Sequence, residues 1–205
     1  MNKSQLLYQI QGEENRLDDS LQILPHTEEE VWEQFIGGDL DALSQIYRRY
    51  IKGLYNYGRQ FADHTVVMDC IQDFFHDLLR TRTRLGKVKY IKAYCYSSVR
   101  RRIVRRLMKN SNSVNIERNL KKDAFIMELR ENPFNDSDAE LESRLDQLKK
   151  ACNELPPRQR EAILLHFYEN MRYPELSMTM GIGSVNSARI LVSRAIHSLR
   201  KKLKY

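Results

Sequence analysis

Wherever this chain shows a pattern, its apolar residues recur every three or four positions, and that spacing belongs to helices. Between Asp41 and Ala62 the row is Leu43, Ile46, Tyr47, Tyr50, Ile51, Leu54 and Tyr57. At about 100° per residue these side chains share one helix face. The same spacing places Val31, Trp32, Phe35 and Ile36 on a helix that begins at Glu28 and ends at Gly37–Asp39. It places Val67, Ile71, Phe74, Phe75 and Leu78 on a helix from Asp63 to Thr81. Only 8 glycines and 5 prolines punctuate 205 residues, and 41% hydrophobic with 30% charged residues suits a soluble helical protein. The expected fold is all-α: two helical domains joined by a flexible linker, the second of them a helix-turn-helix.

The pattern also divides the chain. Residues 1–27 are polar, weakly patterned and interrupted by Pro25, which predicts an N-terminal extension with room for one short helix. A helical domain follows over 28–109, closed by a basic loop, TRTRLGKVK, and a helix from Tyr90 to Lys109. Residues 110–138 lose periodicity and gather Asn, Ser and Asp, as a linker would, with one short helix near Phe125 to Leu129. The second domain, 139–205, starts with Leu141, Leu145, Leu148, Cys152 and Leu155 on one helix stripe, which Pro156 and Pro157 stop. Helices over Arg158–Glu169, Tyr173–Met180 and Ser184–Lys202 complete it, the last two separated by the turn GIG. A short helix, a glycine turn and a longer helix are the parts of a helix-turn-helix.

In the final helix Ala188, Val192, Ala195 and Leu199 form the inward stripe, opened by Ser184 or Asn186 as the cap. Asn186, Ile190, Ser193 and His197 face the other way, flanked by Ser187, Arg189 and Arg194. That outer face is either ordinary solvated surface or a surface shaped for a groove. Charge favours the groove. The net charge is +7, and from Arg80 to Lys109 twelve cations follow one another with no Asp or Glu between them. A second basic block follows Glu175, the last acid. Two basic blocks around an acidic middle suit two contacts with one polyanion, such as nucleic acid. In the helix from Tyr90, the tyrosines 90, 94 and 96 sit beside Lys92, Arg100, Arg101 and Arg105. Rings stack on unpaired bases while cations hold phosphate; the alternative is that the tyrosines are core and the arginines merely solvated.

No constellation of catalytic residues appears, and no enzyme activity, metal or cofactor is expected. The five histidines are scattered, and HExxH, GxGxxG, GxxxxGK[ST] and GxSxG are all missing. Asp69, Asp73 and His76 fall near one helix face, which reads better as a polar partner surface than as a metal site. The three cysteines, Cys70, Cys95 and Cys152, are far apart and suit a reducing cytosol. No apolar run approaches a membrane span and the N-terminus has no signal core, so the expected location is cytoplasmic, without membrane insertion.

The string ELPPRQREAILLHFYENMRYPEL, followed by SVNSARILVSRAIHSLRKKL, resembles the C-terminal helix-turn-helix domain of bacterial sigma factors. GGDLDALSQIYRRYIKGLYNYGRQF, then DCIQDFFHDLLRTR, then the Tyr/Arg helix resemble their promoter-melting domain. With these two domains alone, the chain resembles the extracytoplasmic-function (ECF) group of the sigma-70 family.

The resemblance implies a sigma factor that directs core RNA polymerase to specific promoters, held in check by an anti-sigma factor. Asp69, Gln72, Asp73 and Phe75, matching DxxQ[DE]xF, would dock on the polymerase clamp. Arg84, Lys87 and Lys89 in the loop, with Tyr90, Lys92, Tyr94, Tyr96, Arg100, Arg101 and Arg105, would capture the melted minus-10 strand. Asn186, Ser187, Arg189, Ile190 and Ser193 would read the minus-35 duplex, with Arg194 and His197 gripping phosphate. Arg101 and Arg105 stand where many relatives carry Asn and Asp. The alternative function is a stand-alone helix-turn-helix repressor or activator, for which an acidic docking helix and a strand-capturing helix have no use.

Overall fold

The computed structural model describes residues 27–110 and 139–203. The expectations for the N-terminal extension up to residue 26, for the linker over 111–138 and for its short helix lie outside the described residues.

Eight helices account for most of what is described. The first four are α1 (Glu28–Gly37), α2 (Leu40–Gly58), α3 (His64–Thr81) and α4 (Ile91–Asn110). After the linker come α5 (Ala139–Asn153), α6 (Pro157–Ile163), α7 (Tyr173–Met180) and α8 (Val185–Leu203).

Local chemistry sets the helix ends. Thr27 and Glu30 satisfy each other reciprocally at the start of α1: the Glu30 N–H donates to Thr27 Oγ1 (3.2 Å) and the Thr27 N–H to the Glu30 carboxylate (2.8 Å). Gly38, at φ 110°, ends that helix in a left-handed conformation that only glycine adopts cheaply. Asp39 then caps α2 by accepting from the N–H groups of Asp41 (2.8 Å) and Ala42 (3.4 Å).

The helix expected to run to Ala62 stops at Gly58. Phe61 and Ala62 turn inward instead, the Phe61 ring meeting Tyr57 edge-on at 5.1 Å between centroids. Gly58 lies where α2 crosses its neighbours: a Cβ there would come 2.6 Å from Val67 Cγ1 and 3.2 Å from Ile103 Cδ1. The basic loop begins with a short 3-10 turn, Arg82–Arg84.

The helix expected over Arg158–Glu169 also divides. Its first part, α6, has Pro157 in its first turn, where the missing N–H is not needed. Leu164–Tyr168 then widens into a π turn in which the Glu169 N–H reaches the Leu164 carbonyl at 3.0 Å. Asn170, at φ 53°, reverses the chain. Arg160, buried, ties the preceding corner by donating to the carbonyls of Asn153 (2.6 Å) and Leu155 (3.3 Å).

The core of the first half, built on Trp32, Phe35, Leu43, Leu54, Tyr57, Ile71 and Phe74, continues without a break into the second through Leu165, Met171 and Leu176. α7 packs against α4, so the two halves are docked on each other. Cys70, Cys95 and Cys152 are free thiols and all buried.

Candidate nucleic-acid and polymerase interfaces

Ser184 is the cap of α8: its hydroxyl accepts from the Ser187 N–H at 3.0 Å. Ala188, Val192 and Ala195 are buried beneath the helix and Leu199 packs beside them. Every one of Asn186, Ser187, Arg189, Ile190, Ser193, Arg194 and His197 is exposed, so these residues form one continuous outer face. The Arg189 guanidinium lies 5.3 Å over the Tyr173 ring. That ring stacks in turn on His166 at 4.7 Å, and His166 donates from Nδ1 to the Met171 carbonyl (2.7 Å). The first basic side chain of the helix is therefore held on a rigid aromatic support. No acid lies on α8, and its last turn adds Arg200, Lys201 and Lys202.

α4 has four rows, each advancing by four residues. Ile91, Cys95, Val99 and Ile103 are fully buried in the first domain. Arg102 and Arg106 reach back to α3, the former 3.1 Å from Asp77 and the latter 2.8 Å from Asp69. Arg101 and Arg105 are exposed, with Arg101 braced on the Ser97 carbonyl (3.2 Å) and Ser98 Oγ (3.3 Å).

The fourth row, Lys92, Tyr96 and Arg100, faces the second domain. Arg100 grips Glu161 with both ends, Nε 2.7 Å from Oε1 and NH2 3.3 Å from Oε2. The Tyr57 hydroxyl donates to the same Oε1 at 2.7 Å. The Tyr96 hydroxyl donates to the Glu169 carboxylate. Lys92 Nζ lies 3.2 Å from Glu169 Oε2 and also donates to the Glu169 carbonyl.

Burial, with the neighbouring Glu161 charge next, pushes the Tyr57 phenol well above its ordinary range. Burial and then the Glu169 charge do the same to Tyr96. Burial works against the Arg100 charge, but the Glu161 carboxylate outweighs it and holds the guanidinium firmly protonated.

Of the other residues expected at the minus-10 strand, Arg84, Lys87 and Lys89 are exposed on the loop. α1 anchors that loop: Trp32 Nε1 donates to the Gly86 carbonyl (3.3 Å) and Lys87 pairs with Glu33 (2.9 Å). Lys89 sits over the half-buried Tyr90 ring, 5.3 Å from its centre. Tyr94 is half-buried, edge-on to Trp32 at 5.6 Å. Tyr96 is 1% exposed, so the alternative reading of the tyrosines as core describes Tyr96 as the chain is folded here.

Of the residues expected at the polymerase, Asp69, Gln72 and Asp73 are half-exposed along α3, and Asp69 already pairs with Arg106. Phe75 points inward, 5.0 Å from Tyr47 and 4.9 Å from Phe74, and carries the helix on the core. Among the described residues no group of His, Cys, Asp and Glu could hold a metal ion, and no helix is long and apolar enough to cross a membrane.

Sequence reasoning missed Glu161 and Glu169. Each lies in a helix read from its apolar residues, and nothing local signals that an acid there will be buried.

No curated protein matches the chain. Among solved structures it is similar to CnrH, determined in complex with the cytosolic domain of CnrY. The identity is 20% and the TM-score 0.57, over 86% of this chain and 97% of that one, so the fold is shared along nearly the whole length. Residues 145–199 match the family described as sigma-70, region 4. That match runs from within α5 to within α8, across the short helix, the glycine turn and the final helix.

Proposed function

We infer that the chain is a sigma factor of the ECF group, a transcription regulator and not an enzyme, working in the cytoplasm. It binds core RNA polymerase and brings it to promoters, using α8 on duplex DNA and the loop 84–89 with α4 on the opened strand. The observation that carries this reading is the region 4 match over residues 145–199, whose last helix presents seven candidate residues, six polar or basic and the seventh Ile190, all exposed and with no acid among them.

The early turns of such a helix approach base edges in a major groove, and the later cations meet phosphate. Asp69, Gln72 and Asp73 give an otherwise basic first domain an acidic face, complementary to arginines on a clamp. Opening duplex costs on the order of 1.4 kcal/mol per base-pair step, which capture of the strand and polymerase contacts together must offset. CnrH is bound to the cytosolic domain of another protein, and we propose an anti-sigma partner of the same kind for this chain.

Electrophoretic mobility of genomic duplex fragments separates this reading from the stand-alone repressor. A sigma factor retards promoter fragments strongly only when core polymerase is present. Sequence-specific retardation by the chain alone, unchanged by polymerase, would favour the repressor.

A further inference from the structure

Three features stand outside the direct needs of that function: the three buried thiols, the exposed apolar side chains Phe167 and Met178, and the column of rings that ends at Arg189. The thiols are sealed in the core, and nothing in the structure shows what covers the apolar pair. The column carries further, because it joins a residue of the π turn to a base-reading candidate on α8.

We propose that His166 and Tyr173 are positioning residues for base reading: they hold the Arg189 guanidinium ready for one base pair of the minus-35 duplex, and through it they set a preference for guanine there. The proposal rests on the reading of α8 as the duplex-reading helix.

The column is built from the π turn upward. His166 lies within Leu164–Tyr168, and such local widenings of a helix recur at functional sites. Its Nδ1–H donates to the Met171 carbonyl at 2.7 Å, across the chain reversal at Asn170. That bond orients the imidazole and ties the turn to Met171, which is itself buried. Phe167 meets the same imidazole at 4.8 Å and 71°, a second constraint on the ring. Tyr173, the first residue of α7, lies nearly parallel to it, with 4.7 Å between centroids and 21° between planes. The Arg189 guanidinium rests 5.3 Å over the Tyr173 ring.

This arrangement prepares Arg189 in two ways. A free arginine gives up most of its rotamer freedom on binding, and a guanidinium already resting on a fixed ring gives up less. Its donors also stay available: among the described residues Arg189 makes no hydrogen bond and no ion pair. The acid of α7, Glu175, is engaged instead by the Arg172 N–H at 2.8 Å and the Arg172 side chain at 3.8 Å. A planar fork of donors held at a major groove matches the O6 and N7 acceptors of guanine, the commonest specific pairing of arginine there.

The test uses holoenzyme, core polymerase with the full chain, and a promoter located by run-off transcription whose minus-35 element is randomised. Bound fragments are separated and sequenced, which gives base preference position by position. The unaltered chain is expected to favour guanine at one position, and R189A to lose that preference. H166A is expected to lower the same preference about threefold, the scale of an exposed cation–π contact, and to leave the other positions unchanged. H166F keeps a ring beneath Tyr173, and its preference is expected to lie between those of H166A and the unaltered chain. In the R189A background H166A is expected to change nothing further, because it acts through Arg189.

An H166A loss spread evenly over all positions, and persisting in the R189A background, would overturn the proposal, since His166 would then serve only the fold. So would an H166A profile equal to that of the unaltered chain where R189A has lost its guanine, or a guanine preference that survives R189A. No base preference in any form, the unaltered chain included, would instead overturn the reading of α8, and the positioning role with it.

Discussion

The carboxylate of Glu161 is held from two sides, by the Arg100 guanidinium at 2.7 Å and by the Tyr57 hydroxyl at 2.7 Å, although α6 and the helices that supply these partners belong to different halves of the chain. A charge at 3% exposure is tolerated only because both partners come to it. The halves are therefore joined by a contact that is specific and breakable.

Removing one member of such a buried pair leaves the other charge stranded. Glu161→Ala is expected to weaken the docked state by about 3 kcal/mol, while Tyr57→Phe, which deletes only a hydroxyl, costs about 1 kcal/mol. Urea unfolding followed by tryptophan fluorescence and circular dichroism orders the two variants. Equal, negligible shifts would show that the pair carries no stability.

The docked state should also fail in alkali. Tyr57 and Tyr96 have phenols raised well above the ordinary 10.0, burial being the main cause, with Glu161 and Arg100 facing the first and Glu169 and Lys92 the second. Once undocked, these phenols release protons from about pH 10 upward, whereas docked they keep them. The docked state thus binds more protons, and its stability is fully present below about pH 10 and lost as pH rises beyond it. Absorbance at 295 nm is expected to show these two tyrosines ionising only together with an increase in the hydrodynamic radius. Their ionisation without any domain movement would contradict this.

Most of the helix positions were legible in the sequence, because a row such as Leu43, Ile46, Tyr50, Leu54 and Tyr57 repeats with the helix period and nothing else. The outer face of α8 was legible for the same reason: once Ala188, Val192 and Ala195 are inside, Asn186, Ile190 and Ser193 must be out. The stop at Gly58 was not, since Phe61 and Ala62 leave the helix for a core that distant segments complete. Nor was the π turn, because Leu164–Tyr168 carries no glycine or proline to mark it. The row Lys92, Tyr96 and Arg100 was legible as a chemical set, but its covering was not. Glu161 and Glu169 are 61 and 73 positions from their α4 partners, and no local pattern reports so distant a contact.

Thiol chemistry tests the core. Burial raises all three cysteines, Cys152 to about 11 and Cys95 further, where the thiolate is scarce at neutral pH. The native protein is expected to react with Ellman's reagent at pH 8 at least about tenfold more slowly than a free cysteine. All three thiols should become available on adding denaturant. A rapidly reacting thiol in the native protein would place one of them at the surface.

On duplex DNA, the residues of α8 divide by what they touch. Arg189→Ala is expected to cost about 1–3 kcal/mol on the cognate site and to relax base preference there. Arg194→Ala is expected to weaken all sequences alike and lower the salt dependence by roughly one contact. Tyr173→Ala, which removes the support under Arg189, should weaken the same site by less than Arg189→Ala. Binding of holoenzyme to promoter DNA across a salt series separates the three.

Run-off transcription tests the central claim most directly. Core RNA polymerase from a bacterium is supplied with a fragmented genome, with and without the chain, and transcript 5′ ends are mapped. The account predicts new, defined start sites that appear only with the chain and share two sequence motifs at a fixed spacing. Start sites unchanged by the chain, with specific duplex binding in the absence of polymerase, would contradict it.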